Sequence, residues 1–509
     1  MMDPHTSAFK ENSLQQFTAA SRHRGGADIL VYSLLAAVFL FRLVYAHFLG
    51  IVPDEAYYWD WSRDLSWGYF DHPPMIAWLI FLSRSVFGES SLGVRAATIA
   101  CTFAASIVSY RMVKKYVAKT SSLLLWVILS NSVILFCVGS VLATPDIPLV
   151  LFWSLSLLLG YKAVFESSSA SWMLLGFAAG LGLLSKYTFA LFPLSLVVFL
   201  AVSREQRFWF GRWQPYAAAC IALLTFMPNL VWNLHHQWQT VFFQASHGLD
   251  MHASLHFNTF GDFIAGQLGV LSLFPFILLV WAIAFYFKRK PLQDSIFYLI
   301  SFCIVPFGFF LIASLQKKVE ANWAACAYVS GIILISLFCE NLDPEKNSGL
   351  RRFAVASAAI SVLAAAVILT HIQKPFLPLP PQNDPATQVR GWKELAKNID
   401  MIRARIDSRR VMPVCANRYQ EASLFGFYLP DHPKTFALNT GSRDNQYSLW
   451  PQRRPAASSS VMFLHSPGDP YLDTIFKRNF SLFTLWEKAT LHQGKNREST
   501  WGVFTGLLR

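Results

Sequence analysis

The sequence predicts an α-helical membrane protein with many spans and a small α/β domain at its C-terminal end. Of its 509 residues, 54% are hydrophobic and only 14% are charged, whereas a soluble domain carries about 25% charged residues. Many apolar runs approach the roughly 20 residues that a helix needs to cross a bilayer. After residue 373 the long apolar runs stop, and shorter ones alternate with polar stretches. These observations exclude an ordinary soluble enzyme.

The apolar runs predict about eleven transmembrane helices. We place them near 29–49, 91–112, 121–139, 146–165, 171–185, 187–202, 215–233, 264–287, 293–314, 322–340 and 352–372. The two runs that meet at Ser185 and Lys186 are short, so a re-entrant pair is the alternative there. Residues 1–28 lack the apolar core of a cleaved signal peptide, which predicts a cytoplasmic tail before the transmembrane domain, 29–372.

Basic residues predict the orientation of the helices. If the N-terminus is cytoplasmic, the cytoplasmic loops hold most of the Lys and Arg residues between the spans, as the positive-inside rule requires. An odd number of spans then places residues 373–509 outside. The net charge of +13 is explained by these loops, so we infer no nucleic-acid partner.

Residues 373–509 predict a small α/β domain on this outer side, which is the periplasmic side if the protein is bacterial. A proline-rich spacer over 374–381 precedes a helical pattern over 390–406. Strand-like runs follow at 411–415, 434–438, 460–464, 481–486 and 501–507. A segment of about 137 residues is long enough to have a core of its own.

The large first outer loop, 50–90, is the first place where chemistry could occur. Asp54 and Glu55 lie side by side among aromatic residues just after a helix end. A carboxylate in an apolar setting holds its proton unless it is paired or binds a metal, and such a group can act as a general base. The alternative is an interfacial segment whose Trp and Tyr residues form an aromatic belt.

Other candidate groups follow in the later outer loops. Asp146 begins a helix after Thr144 and Pro145, so helix capping is the alternative to catalysis there. Lys186 lies between two apolar runs, where a lysine is costly and usually functional unless it snorkels to the interface. Lys317 and Lys318 suit an anionic phosphate headgroup, with a solvated turn as the alternative.

The loop 234–263 offers a weaker metal hypothesis. It holds His235, His236, His247, Asp250, His252, His256 and Asp262. Their spacing matches no tight zinc motif, so a lid over the site is favoured over a metal centre.

These motifs together resemble a known superfamily. Asp54-Glu55, Phe70-Asp71-His72-Pro73-Pro74 and Thr144-Pro145-Asp146 resemble the bacterial branch of the protein O-mannosyltransferases. These are C-type glycosyltransferases, related to the aminoarabinose transferases of lipid A and the galacturonosyltransferases of lipopolysaccharide core. Further similarity lies at 317–323, 418–420 and 443–447.

The resemblance implies transfer of a sugar from a polyprenyl-phosphate donor to an acceptor at the periplasmic face, with inversion. The acceptor would be a lipid or glycan, with lipid A or lipopolysaccharide favoured and protein as the alternative. The implied catalytic residues are Asp54, Glu55, Asp71 and Asp146. Glu55 would orient Asp54 or join Asp71 and Asp146 around a divalent metal ion. The substrate-binding candidates are Tyr57, Tyr58, His72, Lys186, Lys317, Lys318, Glu320 and Asn322.

The sequence departs from the aminoarabinose transferases at two positions. Tyr57 stands where that group has Arg, and Asp71-His72 stands where it has Glu-Lys. Both changes remove cations that could face a lipid phosphate, so Lys186, Lys317 and Lys318 are expected to supply the charge.

Two other functions compete with the transferase. One is a transporter or flippase of lipid-linked glycans, which repeat symmetry and midplane polar groups would indicate. The other is a non-catalytic assembly factor.

Overall fold

The computed structural model describes residues 4–246, 255–289, 291–380, 383–467, 469–494 and 497–509. Its helices are α1 (Pro4–Phe48), α2 (Pro53–Trp61), α3 (Met75–Phe87), α4 (Ser91–Val113), α5 (Thr120–Ser132), α6 (Ile134–Gly139), α7 (Asp146–Phe165), α8 (Ser169–Ser185), α9 (Leu191–Val202), α10 (Trp213–His235), α11 (Gln239–Ser246), α12 (Phe257–Val270), α13 (Leu273–Lys288), α14 (Asp294–Ala313), α15 (Ala325–Glu340), α16 (Ser348–Gln373), α17 (Trp392–Ile406), α18 (Tyr419–Tyr428) and α19 (Leu472–Asn479). Its strands are β1 (Val414–Ala416), β2 (Phe436–Ala437), β3 (Ser460–His465), β4 (Phe480–Gly494) and β5 (Arg497–Leu508).

The helical part is a multi-pass membrane domain. Within the described ranges, seven helices are long and apolar enough to cross a bilayer, and an eighth span results if α12 and α13, bent by 100°, are taken together. The expected count of eleven is not confirmed. Several predicted spans fold as shorter helices: α5 has 13 residues and α8 has 17, below the roughly 20 that a straight span needs.

Small residues set the spacing between helices α8 and α10. Gly176 and Gly180 of α8 lie against α10, where an added side chain would overlap Ala218 and Thr225. Close backbone approach of this kind is typical of helix packing in membranes. The chain then breaks at Lys186, as the two short apolar runs predicted, with α8 ending at Ser185.

The C-terminal part contains a five-stranded sheet with the order β2-β1-β3-β5-β4. Strand β1 is parallel to β2 and β3, whereas β5 is antiparallel to β3 and β4. The five strand-like runs and the helix expected over 390–406 are present in this sheet domain. Helices α18 and α19 were not predicted.

Buried polar contacts join the sheet domain to the first loop. Asp60 of α2 accepts a hydrogen bond from Tyr447 at 2.7 Å and pairs with Arg453. Arg453 also pairs with Asp64, and Arg63 donates to the carbonyl of His432 at 2.8 Å. A pair that is buried at both ends is costly to break, so α2 holds the domain in a defined position over the bundle.

Candidate active site

A central cavity of about 920 Å³ lies where the first loop, the helical bundle and the sheet domain meet. Its polar wall consists of Asp54, Tyr57, Tyr58, Asp71, His72, Thr144, Asp146, Lys186, Tyr187, Thr188, Gln244, Glu320, Asn322, Tyr419 and Arg443. Its apolar wall consists of Pro145, Ala190, Leu191, Leu194, Val241, Phe243, Ala245, Phe309, Phe310 and Trp323. Polar groups from distant parts of the chain therefore converge beside a large apolar surface.

Asp54, the second residue of α2, is exposed to the space of this cavity. Protein encloses the cavity on most sides, so desolvation raises the pKa of Asp54 even though water-sized molecules reach it. The negative charge of Asp71 raises that pKa further, and the positive charge of Arg443 opposes both effects. An accessible carboxylate with a raised pKa has the properties of a general base.

Asp71 is held in place by three partners. It accepts a hydrogen bond from the hydroxyl of Tyr57 at 2.7 Å and pairs with Arg443 of the sheet domain at 2.6 Å. Gln244 donates to its backbone carbonyl at 2.5 Å. The Tyr57 hydroxyl also accepts a hydrogen bond from the backbone N–H of Gln446, at 2.6 Å, so the first loop and the sheet domain share this side of the cavity.

Glu55 takes a different place from its neighbour. Its side chain is fully buried and does not line the cavity. It pairs with Arg95 of α4, whose Nε donates at 2.7 Å, and accepts hydrogen bonds from the N–H groups of Val52 at 3.0 Å and Ala143 at 2.8 Å. The Val52 contact caps α2, and the contacts with Arg95 and Ala143 join α2 to the bundle. This geometry fits the orienting role implied for Glu55 rather than contact with substrate.

Asp146, which is half-buried, and the buried Lys186 form an ion pair in the cavity wall, with 2.7 Å between Nζ and the carboxylate. Asn322 donates to the other oxygen of Asp146 at 2.9 Å. Asp146 also starts α7, where the helix dipole favours a negative charge. The pair holds Lys186 at the cavity surface. An ammonium has three donors, and Asp146 takes one of them.

The remaining substrate-binding candidates divide into two groups. Tyr58, His72 and Glu320 line the central cavity, whereas Lys317 and Lys318 do not. Lys318 is largely exposed and pairs with Glu320 at 2.9 Å. Lys317 is half-buried, and the apolar Val319 that follows the basic pair is buried.

The predicted metal ligands do not fit a metal centre as they are arranged. Among the described residues, no group of three His, Cys, Asp or Glu side chains is placed to hold a metal ion. Glu55, Asp71 and Asp146 are instead each paired with a basic side chain. From the loop 234–263, His247, Asp250 and His252 lie outside the described residues.

The sequence did not identify Arg443 and Tyr419 as site residues. The guanidinium of Arg443 stacks over Tyr419 and Phe243, with 5.1 Å and 4.6 Å to the ring centroids. The motifs at 418–420 and 443–447 pointed to these segments. Nothing in the spacing linked them to the first outer loop, 50–90, which lies far earlier in the chain.

Comparison with known proteins confirms the superfamily resemblance. Residues 71–232 match the family described as dolichyl-phosphate-mannose-protein mannosyltransferase. The chain is 28% identical over 319 residues to the lipid A galacturonosyltransferase RgtD of Rhizobium johnstonii, covering 58% of this chain and 62% of that protein. It is 31% identical over 194 residues to the undecaprenyl phosphate-alpha-4-amino-4-deoxy-L-arabinose arabinosyl transferase of Pseudomonas aeruginosa, covering 35% of each. The matches thus span less than two thirds of either relative.

The fold comparison covers nearly the whole chain. The crystal structure of ArnT from Cupriavidus metallidurans bound to undecaprenyl phosphate has a TM-score of 0.66 with this chain at 16% identity. The superposition covers 94% of this chain and 98% of that one. The expected fold class, a C-type glycosyltransferase bundle followed by a sheet domain, is therefore confirmed.

Proposed function

Because this chain has the C-type glycosyltransferase fold and the motifs of its bacterial branch, we propose that it transfers a sugar from a polyprenyl-phosphate donor to a lipid-linked glycan. Lipid A or lipopolysaccharide is the favoured acceptor, and a protein hydroxyl is the alternative. The reaction takes place at the periplasmic face of a bacterial inner membrane, with the N-terminus in the cytoplasm and the sheet domain in the periplasm.

The observation that carries this proposal is the composition of the central cavity. Asp54 and the Lys186–Asp146 pair line the same space as the apolar wall. The accessible carboxylate suits an acceptor hydroxyl, and the cation suits a phosphate. The apolar surface suits an isoprenoid chain. Two comparisons support an acceptor and a donor of these kinds. RgtD is named as a lipid A galacturonosyltransferase, and the ArnT crystal structure contains undecaprenyl phosphate.

The mechanism is a single displacement at the anomeric carbon. The Asp54 carboxylate accepts the proton of the acceptor hydroxyl, and the oxygen forms a bond to the anomeric carbon. The bond from that carbon to the phosphate oxygen breaks, and its electron pair leaves with the polyprenyl phosphate. Lys186 stabilises the negative charge of the departing phosphate. One displacement inverts the configuration of the sugar.

Reconstituted transfer tests the proposal. The purified full chain is placed in vesicles that contain lipid A and undecaprenyl phosphate linked either to galacturonic acid or to 4-amino-4-deoxy-L-arabinose. Mass spectrometry of the recovered lipid A is expected to show the mass of one added sugar from one of the two donors. Vesicles without the protein serve as the control. If neither donor modifies lipid A, the favoured acceptor is wrong, and if neither donor is consumed by any acceptor in envelope extracts, the transferase proposal is wrong.

Lys186 gives a more specific prediction about the donor. Lys186→Ala is expected to weaken binding of undecaprenyl phosphate by roughly tenfold or more, because a hydrogen bond to a charged group contributes about 1.5–3 kcal/mol. Binding is measured by competition with a fluorescent polyprenyl phosphate in detergent. Lys318→Ala removes an exposed lysine outside the cavity and is the matched control. Equal donor affinity in the two variants would remove Lys186 from this role.

A further inference from the structure

A second cavity, which we call the domain cavity, lies on the sheet-domain side of Asp54. Its volume is about 1170 Å³, and most of its lining residues belong to the sheet domain. It shares Asp54, Tyr419 and Arg443 with the central cavity. The candidate base is therefore reached from two sides, and Tyr419 with Arg443 forms the wall between them.

Arg418 brings an uncommitted positive charge to the domain cavity. It lines the cavity directly before Tyr419, at the start of α18, and is exposed. Within the described part of the chain its guanidinium makes no hydrogen bond or ion pair. Arg443 differs, because it is already paired with Asp71 at 2.6 Å. Arg418 is thus the cation that is available to a ligand here.

The nearest carboxyl group does not cancel this charge fully. Glu421 lines the same cavity and is buried, and desolvation raises its pKa to about 7 despite the opposing charge of Arg418. At neutral pH a large share of Glu421 is therefore uncharged. The surroundings of Arg418 therefore keep a net positive charge that suits an anionic group of a ligand, whereas Asp54 lies where this cavity adjoins the central one.

The other walls suit a saccharide. Trp392 and Trp501 line the cavity and pack edge to face, with their ring centroids 5.8 Å apart. Both are largely buried, so each gives the cavity a small apolar surface that a sugar ring can contact. The indole N–H of Trp501 and one carboxyl oxygen of Glu421 have no hydrogen-bond partner among the residues described. An unused donor and an unused acceptor, both buried, call for a polar partner, which sugar hydroxyls provide once these side chains adjust.

We propose that the domain cavity binds the saccharide of the acceptor and that Arg418 determines its specificity by binding a phosphate group on that saccharide. Arginine suits this role because its planar guanidinium binds phosphate through two parallel hydrogen bonds. The acceptor would thereby present a hydroxyl to Asp54 from the side opposite the polyprenyl donor. This inference rests on the proposed transferase function, since it assigns the second substrate of that reaction.

A binding experiment on the full chain in detergent tests the inference separately from catalysis. The probes are a glucosamine disaccharide with phosphates at both ends, the same disaccharide without phosphates, and inorganic phosphate, each followed by calorimetry. The phosphorylated disaccharide is expected to bind the wild type best, and Arg418→Gln is expected to weaken it by about tenfold or more. Arg418→Lys should recover part of the affinity, because it restores the charge without the planar fork.

Controls make each outcome decisive. Arg409→Gln removes another exposed arginine of the same domain that lies outside both cavities, and it should bind like the wild type. Arg418→Gln should retain the wild-type affinity for undecaprenyl phosphate. Equal binding of the phosphorylated disaccharide by wild type and Arg418→Gln overturns the inference, as does inorganic phosphate binding as well as that disaccharide. Absence of transfer by the wild type would instead contradict the proposed function while leaving this binding result interpretable.

Discussion

Two adjacent carboxylates, Asp54 and Glu55, occupy opposite environments on α2. Asp54 is exposed and lines both cavities, and its pKa is raised by desolvation and by the charge of Asp71. Glu55 is fully buried, and Arg95 together with two backbone N–H groups satisfies its oxygens. Consecutive residues of an α-helix point about 100° apart, so neighbours in sequence reach different surroundings.

The difference separates reactivity from stability. An unpaired, accessible carboxylate contributes little to folding but can accept a proton, whereas a buried carboxylate that is fully paired cannot leave its partners without a large cost. The pair therefore predicts two variants with opposite consequences, which can be measured side by side in one protein.

The largest expected effect is on catalysis at Asp54. Asp54→Asn removes the proton acceptor while keeping nearly the same shape, so we expect sugar transfer to fall by about 10²–10⁴-fold, the contribution typical of a general base. Transfer is measured in the vesicle assay with lipid A and the donor that the wild type uses. Thermal stability in detergent should match the wild type, because the side chain is exposed. Near-normal turnover would remove Asp54 from the base role.

The next effect is on folding at Glu55. Glu55→Gln leaves Arg95 buried without its counter-charge, and removing one partner of a buried pair typically costs about 3–5 kcal/mol. We expect a clearly lower denaturation temperature in detergent, with Asp54→Asn as the neighbouring control. The two variants separate the two roles only if Asp54→Asn lowers transfer without lowering stability and Glu55→Gln lowers stability. Full stability of Glu55→Gln would show that the Arg95 contact is dispensable.

The same geometry explains what the sequence could and could not predict. The outer-loop acids Asp71 and Asp146 were predicted to share a site with Asp54, because topology places their loops on one side of the membrane. The burial of Glu55 outside the cavity was not predicted, since it depends on the position of Arg95 in α4. Arg443 and Tyr419 were missed because they reach the cavity only through the tertiary contacts of the sheet domain.

The fold follows a similar rule. The strands and α17 have clear alternating or amphipathic patterns, and the sequence predicted them. Helix α18 is buried throughout Glu421–Phe427, and a helix that is buried all round shows no apolar stripe. The expected count of eleven spans is not confirmed, because apolar composition alone does not distinguish a short buried helix such as α5 from a full span.

A smaller effect concerns the charge balance around Asp54. Desolvation raises the pKa of Asp54 most, Asp71 and Glu55 raise it further, and Arg443 lowers it. The other polar or charged groups that face the same cavity include Tyr58, Tyr419, His72, Asp146 and Lys186. Asp54 acts when ionised, so activity falls as the pH drops through its pKa. Arg443→Gln removes the opposing positive charge and should shift the acid limb of kcat/KM to higher pH, whereas Arg443→Lys should leave it in place. An unchanged limb in Arg443→Gln would show that Arg443 does not set the ionisation of Asp54.

The smallest expected effect is that of metal removal. Two carboxylates of the central cavity that could hold a metal are already paired with protein cations, Asp71 with Arg443 and Asp146 with Lys186, so a chelator is expected to leave the initial rate of transfer unchanged. The rate is compared before and after treatment with EDTA, and again after adding back magnesium, manganese or calcium. A loss that one of these ions restores would instead support the divalent metal implied by the family resemblance. It would also mean that at least one of the two ion pairs opens when the substrates bind.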